Sequence, residues 1–342
     1  MQRCLQLAAS GDSRVAPNPR VGAVITYHNQ IIGEGYHRNY GEAHAEVNAI
    51  RAAQGKADFK QCTIYVNLEP CAHFGKTPPC ADLIVRSGFK RVVIANTDPF
   101  EAVDGKGIDR LRKAKIEVVT NVLHDEGRNL NRRFFTFHEK KRPYIVLKWA
   151  QSADGFVDRI RNGHDPGNFW ITSPATRKLV HLWRAHEAAI LIGSRSVAHD
   201  NPELTVRDID GPNPLRIVFD PNQRLSFAER VFNDAAKTAY ACAADRLVGC
   251  TLPETTAPIP LTSGKPIPEL LAHLYQTQVQ SVMVEGGKHM HQQFLDAGLW
   301  DEIRVLVSPR RLGEGSPAPQ LPIQPHRVST YGEDQIITYI KQ

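Results

Sequence analysis

The sequence predicts an α/β protein built from two domains. Strand-like apolar segments alternate with helix-like segments along most of the chain. At 342 residues the chain is also longer than the ~250 residues at which a single core stops growing. A basic, aromatic stretch at 131–142 is followed by Pro143 and a new apolar strand. We interpret this stretch as a solvated linker, which gives domains of residues 1–140 and 141–342.

The first half predicts a layered α/β domain. Its pattern indicates helices that begin near His44 and Cys80, a turn at Asn18 before the first strand, and a glycine-flexed loop at 33–37 after the second. The predicted strands cover residues 21–27, 30–33, 63–67, 91–96 and 116–119.

The second half repeats the alternation with different spacing. Residues 253–268 are rich in proline and predict an irregular region. The remaining segments predict strands at 144–149, 188–192, 215–219 and 281–284, and helices at 174–185 and 270–276.

Composition places the chain among ordinary globular proteins, with 42% hydrophobic and 23% charged residues. No apolar run approaches the ~18 residues of a membrane span, and the first ten residues lack the apolar core of a signal peptide. We therefore expect a cytoplasmic protein with no membrane partner. Its six cysteines do not suggest a disulfide framework, and four are expected to be ordinary buried or surface residues: Cys4, Cys62, Cys242 and Cys250.

The net charge is weak evidence for nucleic-acid binding. Forty-two basic and 36 acidic residues give +6, and the pI is near 9.0. Because the basic residues are scattered, the excess equally suits small phosphorylated substrates, and no nucleic-acid partner is expected.

Four residues have the chemistry of a hydrolytic zinc site. His44, Cys71 and Cys80 offer one imidazole and two thiolates, which leaves the fourth tetrahedral position to a water whose pKa zinc lowers to about 7. Glu46 follows His44 by two residues and is the candidate proton carrier and catalytic residue. Taken singly, His44 is also compatible with a core histidine and the cysteines with buried thiols.

Three motifs of the first half resemble the bifunctional deaminase/reductase family of riboflavin biosynthesis. They are Pro17–Gly22, His44–Glu46 and the segment Glu69–Cys80 with sequence EPCAHFGKTPPC. Base and nucleoside deaminases usually separate the two cysteines by two residues, whereas eight intervene here. The inserted loop carries Lys76, so a cation next to the metal could hold a sugar phosphate.

The resemblance implies a cytidine-deaminase-like α/β/α fold for the N-terminal domain and zinc bound by His44, Cys71 and Cys80. One position departs from the family pattern, because Phe100 stands where an asparagine is common. The substrate-binding residues implied for this domain are Asn18, His37, His73, Lys76 and Thr77.

The second half resembles the reductase domain of the same family, which implies a dihydrofolate-reductase-like α/β fold that uses NADPH. The matching segments occur in order at 147–155, 170–173, 182–185, 190–193, 201–207 and 284–288. No G-x-G-x-x-G motif supports an ordinary dinucleotide site. Instead, backbone N–H groups after Gly286-Gly287 could hold the pyrophosphate.

The resemblance assigns residues of this half to two ligands. Asp200 is in addition a candidate proton relay, and the loop 156–169 departs from the family pattern as an apparent insertion. The substrate residues are Asn168, Arg184, Leu204, Arg207 and Glu285, and the cofactor residues are Ala150, Trp170, Ser196, Asp200, Gly287, Lys288, His289 and Met290.

Together the two halves imply a two-step enzyme. Water activated by zinc would deaminate 2,5-diamino-6-(5-phosphoribosylamino)pyrimidin-4-one, with Glu46 carrying the proton to the departing ammonia. NADPH would then reduce the ribosyl group to a ribityl chain. The family also suggests a homo-oligomer, a dimer or larger.

Two other classes of function stay open at this stage. A nucleic-acid base deaminase with an RNA-binding second domain agrees with the basic pI, but the long loop between the cysteines opposes it. A metal-stabilised ligand sensor is opposed by Glu46, since a structural zinc site normally has four protein ligands and no proton carrier.

Overall fold

The computed structural model describes residues 1–11, 13–74, 78–101, 103–160, 169–321 and 323–341. The predicted site residues Lys76, Thr77 and Asn168 lie outside these ranges. The chain divides into two compact units, Met1–Lys141 and Arg142–Gln342, called here the first and second unit.

Helices and strands alternate in the first unit. The strand order of its sheet is β2-β1-β3-β4-β5. Strand β1 is antiparallel to β2 and β3, whereas β3, β4 and β5 are parallel. The elements are α1 (Gln2–Ala9), β1 (Gly22–Tyr27), β2 (Gln30–Tyr36), α2 (Ala45–Ala53), β3 (Thr63–Leu68), α3 (Cys80–Ser87), β4 (Arg91–Asn96), α4 (Lys106–Lys113), β5 (Glu117–Val119), α5 (His124–Leu130) and α6 (Arg132–Lys140).

Helices α1 and α2 cover opposite faces of this sheet. The Cβ position of Gly22 in β1 lies only 2.2 Å from the Cys4 carbonyl oxygen of α1. Gly35 of β2 is paired with Ala23, the next residue of β1, so it faces the other side, where its Cβ position is 2.5 Å from the Ala49 nitrogen of α2. The close approach to β2 fixes the N-terminus of α2.

Two predictions for the first unit are wrong in detail. Strand β2 continues to Tyr36, so most of the expected loop 33–37 is strand. Its glycines are explained by the close approach of α2 rather than by flexibility. The segment expected to be a solvated linker largely forms helix α6. It is not a solvated segment, because its aromatic side chains Phe134, Phe135 and Phe137 are buried.

The second unit is built on a larger sheet of order β11-β10-β9-β8-β12-β6-β13-β16-β15, parallel from β11 to β13 and antiparallel beyond it. A separate antiparallel pair joins β7 and β14. The elements are β6 (Tyr144–Gln151), β7 (Phe156–Asp158), α7 (Pro174–His186), β8 (Ala189–Gly193), α8 (Ser194–Asp200), β9 (Leu215–Phe219), β10 (Thr238–Ala243), α9 (Ala244–Leu247), β11 (Thr256–Leu261), α10 (Pro266–Gln276), β12 (Ser281–Val284), α11 (Lys288–Asp296), β13 (Glu302–Val307), β14 (Ser316–Pro317), β15 (Arg327–Tyr331) and β16 (Asp334–Ile340).

The central strands of this sheet are buried on both faces. In β6, Ile145 and Leu147 belong to one hydrophobic cluster, and Tyr144 and Val146 belong to another. Successive side chains of a strand point to opposite faces, so a continuous apolar run indicates cover on both. Helix α7 begins as its sequence predicts, with Pro174 in its first turn and the Ser173 hydroxyl accepting a hydrogen bond from the Thr176 N–H.

The prediction of an irregular region at 253–268 is wrong. This region contains strand β11 and the first turn of α10. Strand β11 lies at the edge of the sheet beside β10, so Pro258 and Pro260 can face solvent while Ile259 and Leu261 are buried. Six further strands were not predicted: β7, β10, β13, β14, β15 and β16.

Candidate active sites

His44, Cys71 and Cys80 come together in the first unit. His44 is the N-cap of α2 and Cys80 opens α3, as predicted, while Cys71 lies in the segment after β3. The His44 Nδ1 is 3.3 Å from the Cys80 sulfur and 3.7 Å from the Cys71 sulfur, and all three ligand atoms lie within 4.8 Å of one another. Ligands of a tetrahedral zinc ion are about 3.5 Å apart, so these donors fit zinc in type and spacing.

The same contacts favour a thiolate. Hydrogen bonds from Cys80 and from His44 lower the pKa of Cys71 to about 4, despite burial. The contact with Cys71 raises the pKa of Cys80, and burial adds to this effect. The hydrogen bond with Cys71 likewise raises the pKa of His44. These contacts therefore favour a thiolate at Cys71, the form in which cysteine binds a metal.

Glu46 lies in the first turn of α2 with 3% of its surface exposed. Its carboxyl interacts electrostatically with His44 and Cys71, which places it beside the cluster. Burial raises the pKa of Glu46 above its usual value. A carboxyl whose pKa is closer to neutrality can both take up and return a proton.

Asn18 and His37 lie next to this cluster. The Asn18 amide is 3.0 Å from His37 Nε2, the His37 Nδ1 is 3.2 Å from the Ala43 carbonyl, and the His37 ring centroid is 5.3 Å from that of His44. These partners suit a neutral His37 with its proton on Nδ1, and burial lowers its pKa in the same sense. His73 is exposed, and its ring is 5.8 Å from that of Phe100.

The predicted reductase residues within the described ranges line one cavity of about 1080 Å³ in the second unit. This cavity brings together residues that are far apart in sequence. They are Arg184, Leu204, Arg207 and Glu285 from the substrate set, and Ala150, Trp170, Ser196, Asp200, Gly287, Lys288, His289 and Met290 from the cofactor set.

A buried ion-pair network lies in the wall of this cavity. The Arg184 guanidinium donates to both oxygens of Glu285 at 3.0 and 2.8 Å, and the Lys148 ammonium is 3.7 Å away. Burial acts to raise the pKa of Glu285, but Arg184 and Lys148 outweigh it and hold the pKa at about 2. Glu285 is therefore a carboxylate at neutral pH, and Arg184 is already paired with it.

Two further predicted residues have specific partners. Arg207 pairs with Glu203 at 3.0 Å, and its backbone N–H donates to His181 Nδ1 at 3.2 Å. The Gly287 N–H donates to the Ser196 hydroxyl at 2.9 Å. Gly287 is thus paired with another residue of the predicted cofactor set, and both residues line the cavity.

Comparison with known proteins assigns each of the two units to a protein family. Residues 1–96 match the family model of the cytidine and deoxycytidylate deaminase zinc-binding region, and residues 143–336 match that of the RibD C-terminal domain. The riboflavin biosynthesis protein RibD of Aquifex aeolicus (strain VF5) is 38% identical over 99% of this chain and 97% of its own length. The chain belongs to the RibD family.

Other relatives agree with this assignment. RibD of Bacillus amyloliquefaciens is 40% identical, with 94% of this chain and 86% of the relative covered. A crystal structure from Thermotoga maritima, described as a diaminohydroxyphosphoribosylaminopyrimidine deaminase/5-amino-6-(5-phosphoribosylamino)uracil reductase, superposes with a TM-score of 0.87 at 35% identity, covering 99% of this chain and 96% of that chain.

Family membership confirms the predicted fold class. The chain is a bifunctional enzyme of riboflavin biosynthesis with a zinc-binding deaminase domain and a reductase domain of the NADPH-dependent type. Among the described residues, no helix combines the length and apolarity that crossing a bilayer would require.

Several residues with perturbed chemistry were not predicted. Burial raises the pKa of Asp98 to about 7 in the first unit. In the second unit, burial lowers the pKa of Lys148, and it lowers that of His291 to about 4. Lys148 lies within the family-like segment 147–155. A lysine within an otherwise apolar strand was the sequence signal for this buried charge.

Proposed function

We propose that this chain deaminates 2,5-diamino-6-(5-phosphoribosylamino)pyrimidin-4-one and then reduces the ribosyl group of the product to a ribityl chain. Residues 1–140 are proposed to form the deaminase domain and residues 141–342 the reductase domain. The observation that carries the proposal is the His44, Cys71 and Cys80 cluster with Glu46 buried beside it. The substrates are those named for the relative from Thermotoga maritima.

In the first step, His44, Cys71 and Cys80 would hold zinc, which supplies a Lewis acid that makes water reactive near neutral pH. Glu46 would take a proton from the attacking water and return it to the departing ammonia. Asn18 and His37 would bind the pyrimidine beside the cluster. His73, Lys76 and Thr77 would complete the substrate pocket, with Lys76 as a cation for the sugar phosphate.

In the second step, NADPH supplies the hydride, and the protein orients the reacting groups. Arg207 has 42% of its side chain exposed and would meet the substrate phosphate. Arg184 and Lys148 would fix Glu285 towards the ribosyl group, and Leu204 and Asn168 would complete the substrate site. The eight cofactor residues named above would bind NADPH, with Asp200 also a candidate proton relay.

Two properties of the whole protein also belong to this proposal. We propose a homo-oligomer, as the family resemblance suggests, which light scattering of the purified protein tests. We also propose a cytoplasmic location, because thiolate ligands such as Cys71 and Cys80 persist in a reducing compartment.

One assay tests both activities. Purified protein is supplied with zinc, NADPH and the diaminopyrimidine ribosyl phosphate, and ammonia and NADPH are followed separately. Both signals are expected, with ammonia first. Ammonia release without NADPH oxidation would contradict the reductase step. Absence of both ammonia release and NADPH oxidation in protein with zinc bound would contradict the proposed substrate.

Replacing Glu46 tests the proton carrier. Glu46→Ala should keep zinc, because Glu46 is not a ligand, and should lower ammonia release by at least about 10²-fold. NADPH oxidation should continue when the deaminated substrate is supplied. Zinc content measured by atomic absorption is the control, and loss of zinc in this variant would show that Glu46 supports the metal site instead.

A further inference from the structure

Glu69 is a buried carboxylate bound by backbone groups of a distant segment. Only 3% of its surface is exposed. Its Oε1 accepts hydrogen bonds from the N–H groups of Gly107 at 2.8 Å and Ile108 at 3.1 Å, and its Oε2 accepts from Gly105 at 3.0 Å and Asp98 at 3.2 Å. Four donors on one carboxylate keep it satisfied away from water.

Two of these donors belong to the first turn of α4. The N-cap of α4 is Gly105, which has no side chain to accept a hydrogen bond, so Glu69 supplies the cap from another part of the chain. The packing is tight, because the Cβ position of Gly107 is 2.1 Å from the Pro70 carbonyl oxygen. The start of α4 is therefore held directly against the segment that precedes Cys71.

The other two donors hold the two ends of a turn. We call the described residues Asp98–Glu101 and Val103–Gly105 the Asp98 turn; Glu69 Oε2 binds its first and last N–H groups. Phe100 lies inside this turn with 38% of its surface exposed. Its ring is 5.8 Å from that of His73 and 5.2 Å from that of His138.

Cys71 is held by other groups. Its carbonyl accepts a hydrogen bond from the Ala81 N–H at 3.1 Å, and its sulfur accepts one from the Cys80 N–H at 3.3 Å. Loss of the Glu69 carboxylate should therefore displace the Asp98 turn before it displaces the metal ligand.

We propose that Glu69 is a positioning residue of the deaminase site that fixes the Asp98 turn, so that Phe100 forms an aromatic wall against which the substrate's pyrimidine ring packs. The proposal rests on the deaminase function proposed above. The exposed ring beside His73 can stack on a planar heterocycle, which an asparagine at this position could only contact through hydrogen bonds.

The test measures KM and kcat of ammonia release in Glu69→Gln, Phe100→Ala and the double variant. Glutamine keeps the shape but replaces one acceptor with an N–H₂ group that faces backbone donors. Glu69→Gln and Phe100→Ala should each raise KM roughly tenfold, with kcat within about twofold of wild type. Because both act through the same ring, the double variant should be no worse than Phe100→Ala alone.

Two controls separate positioning from folding. Glu126→Gln removes the same charge at an exposed site of the first unit and should leave KM unchanged. Protein loaded with cobalt in place of zinc should keep its thiolate-to-cobalt absorption in Glu69→Gln, because Cys71 and Cys80 stay in place.

Several results would overturn the inference. They are a loss of kcat at unchanged KM, additive effects in the double variant, loss of the cobalt absorption, or an unchanged KM in Phe100→Ala. Wild-type protein that releases no ammonia would instead refute the proposed function, and this inference with it. A wild type that is active while both single variants match it would refute the inference alone.

Discussion

Glu285 shows how a single carboxylate can organise the second cavity. It binds Arg184 through two hydrogen bonds and faces Lys148, with all three side chains largely buried. Removing one partner of a buried ion pair leaves the other charges uncompensated, which costs more than the pair contributes. Glu285 is therefore important both for the stability of the second unit and for the geometry of its cavity.

Glu285→Gln should lower the free energy of unfolding of the second unit by about 3 kcal/mol. The sequence has four tryptophans, Trp149, Trp170, Trp183 and Trp300, and all lie in the second unit, so urea unfolding followed by tryptophan fluorescence reports this unit selectively.

The same substitution should show a defined pH dependence. The folded-state pKa of Glu285, about 2, lies below its usual value of 4.5, so its stabilisation is present above pH 4.5 and is lost as the pH falls towards 2. The difference between wild type and Glu285→Gln should shrink over that range. Glu254→Gln, at an exposed position, is the control and should match wild type. A variant as stable as wild type at pH 7 would contradict this account.

For single residues, the sequence predicts best those whose types and spacing specify a metal site. His44, Glu46, Cys71 and Cys80 were predicted because their residue types and order specify a zinc site, and the structure brings them together. Lys148 was missed because its significance depends on Glu285. That residue follows a different strand and comes near Lys148 only in the folded protein. The lysine within an apolar strand was a local signal, but no local pattern identifies its partner.

Among the elements, the contact of α2 with β2 governs the geometry of the metal site. Gly33 and Gly35 leave no room for a side chain, since their Cβ positions lie 2.5 Å from the backbone of Ala49. The N-terminus of α2 carries His44 as its N-cap and Glu46 in its first turn. Any displacement of α2 from β2 therefore moves a metal ligand and the proton carrier together.

Gly35→Ala should push α2 away from β2 and lower ammonia release by about 10²-fold, since a shift of about 1 Å in a reacting group can have that effect. Zinc content should fall as well, whereas NADPH oxidation with the deaminated substrate should continue in the second unit. Gly264→Ala is a suitable control, because nothing lies within 4 Å of its Cβ position. If Gly35→Ala kept full activity and zinc, close packing of α2 would not be what positions the site.

Strands with an uninterrupted apolar run were predicted best, although the interior strands β10 and β13 were missed. Strands β4, β9 and β12 have the predicted bounds because continuous apolar runs specify them. Strand β11 was missed because prolines normally end strands, and only its place at the sheet edge makes them compatible. Helix α6 was missed because its basic residues suggested solvent, while its phenylalanines supply the buried face.

At the scale of the molecule, each unit holds its own core and its own candidate site. The metal cluster uses residues of the first unit alone, and the residues that line the large cavity all belong to the second. The product of the proposed first step is the substrate of the second. Covalent linkage keeps the two activities in equal amount, but it does not require that the intermediate pass directly from one site to the other.

Mixing two single-site variants tests this independence. Glu46→Ala lacks the proton carrier of the first step, and Glu285→Gln lacks the carboxylate of the second cavity, so neither should oxidise NADPH when given the diaminopyrimidine substrate. The mixture should oxidise NADPH after a lag, because the intermediate must accumulate in solution before it reaches the second protein. Each variant assayed on its own remaining step is the control. If both controls are active but the mixture oxidises no NADPH, the intermediate does not exchange freely between molecules. The two sites would then depend on their covalent linkage.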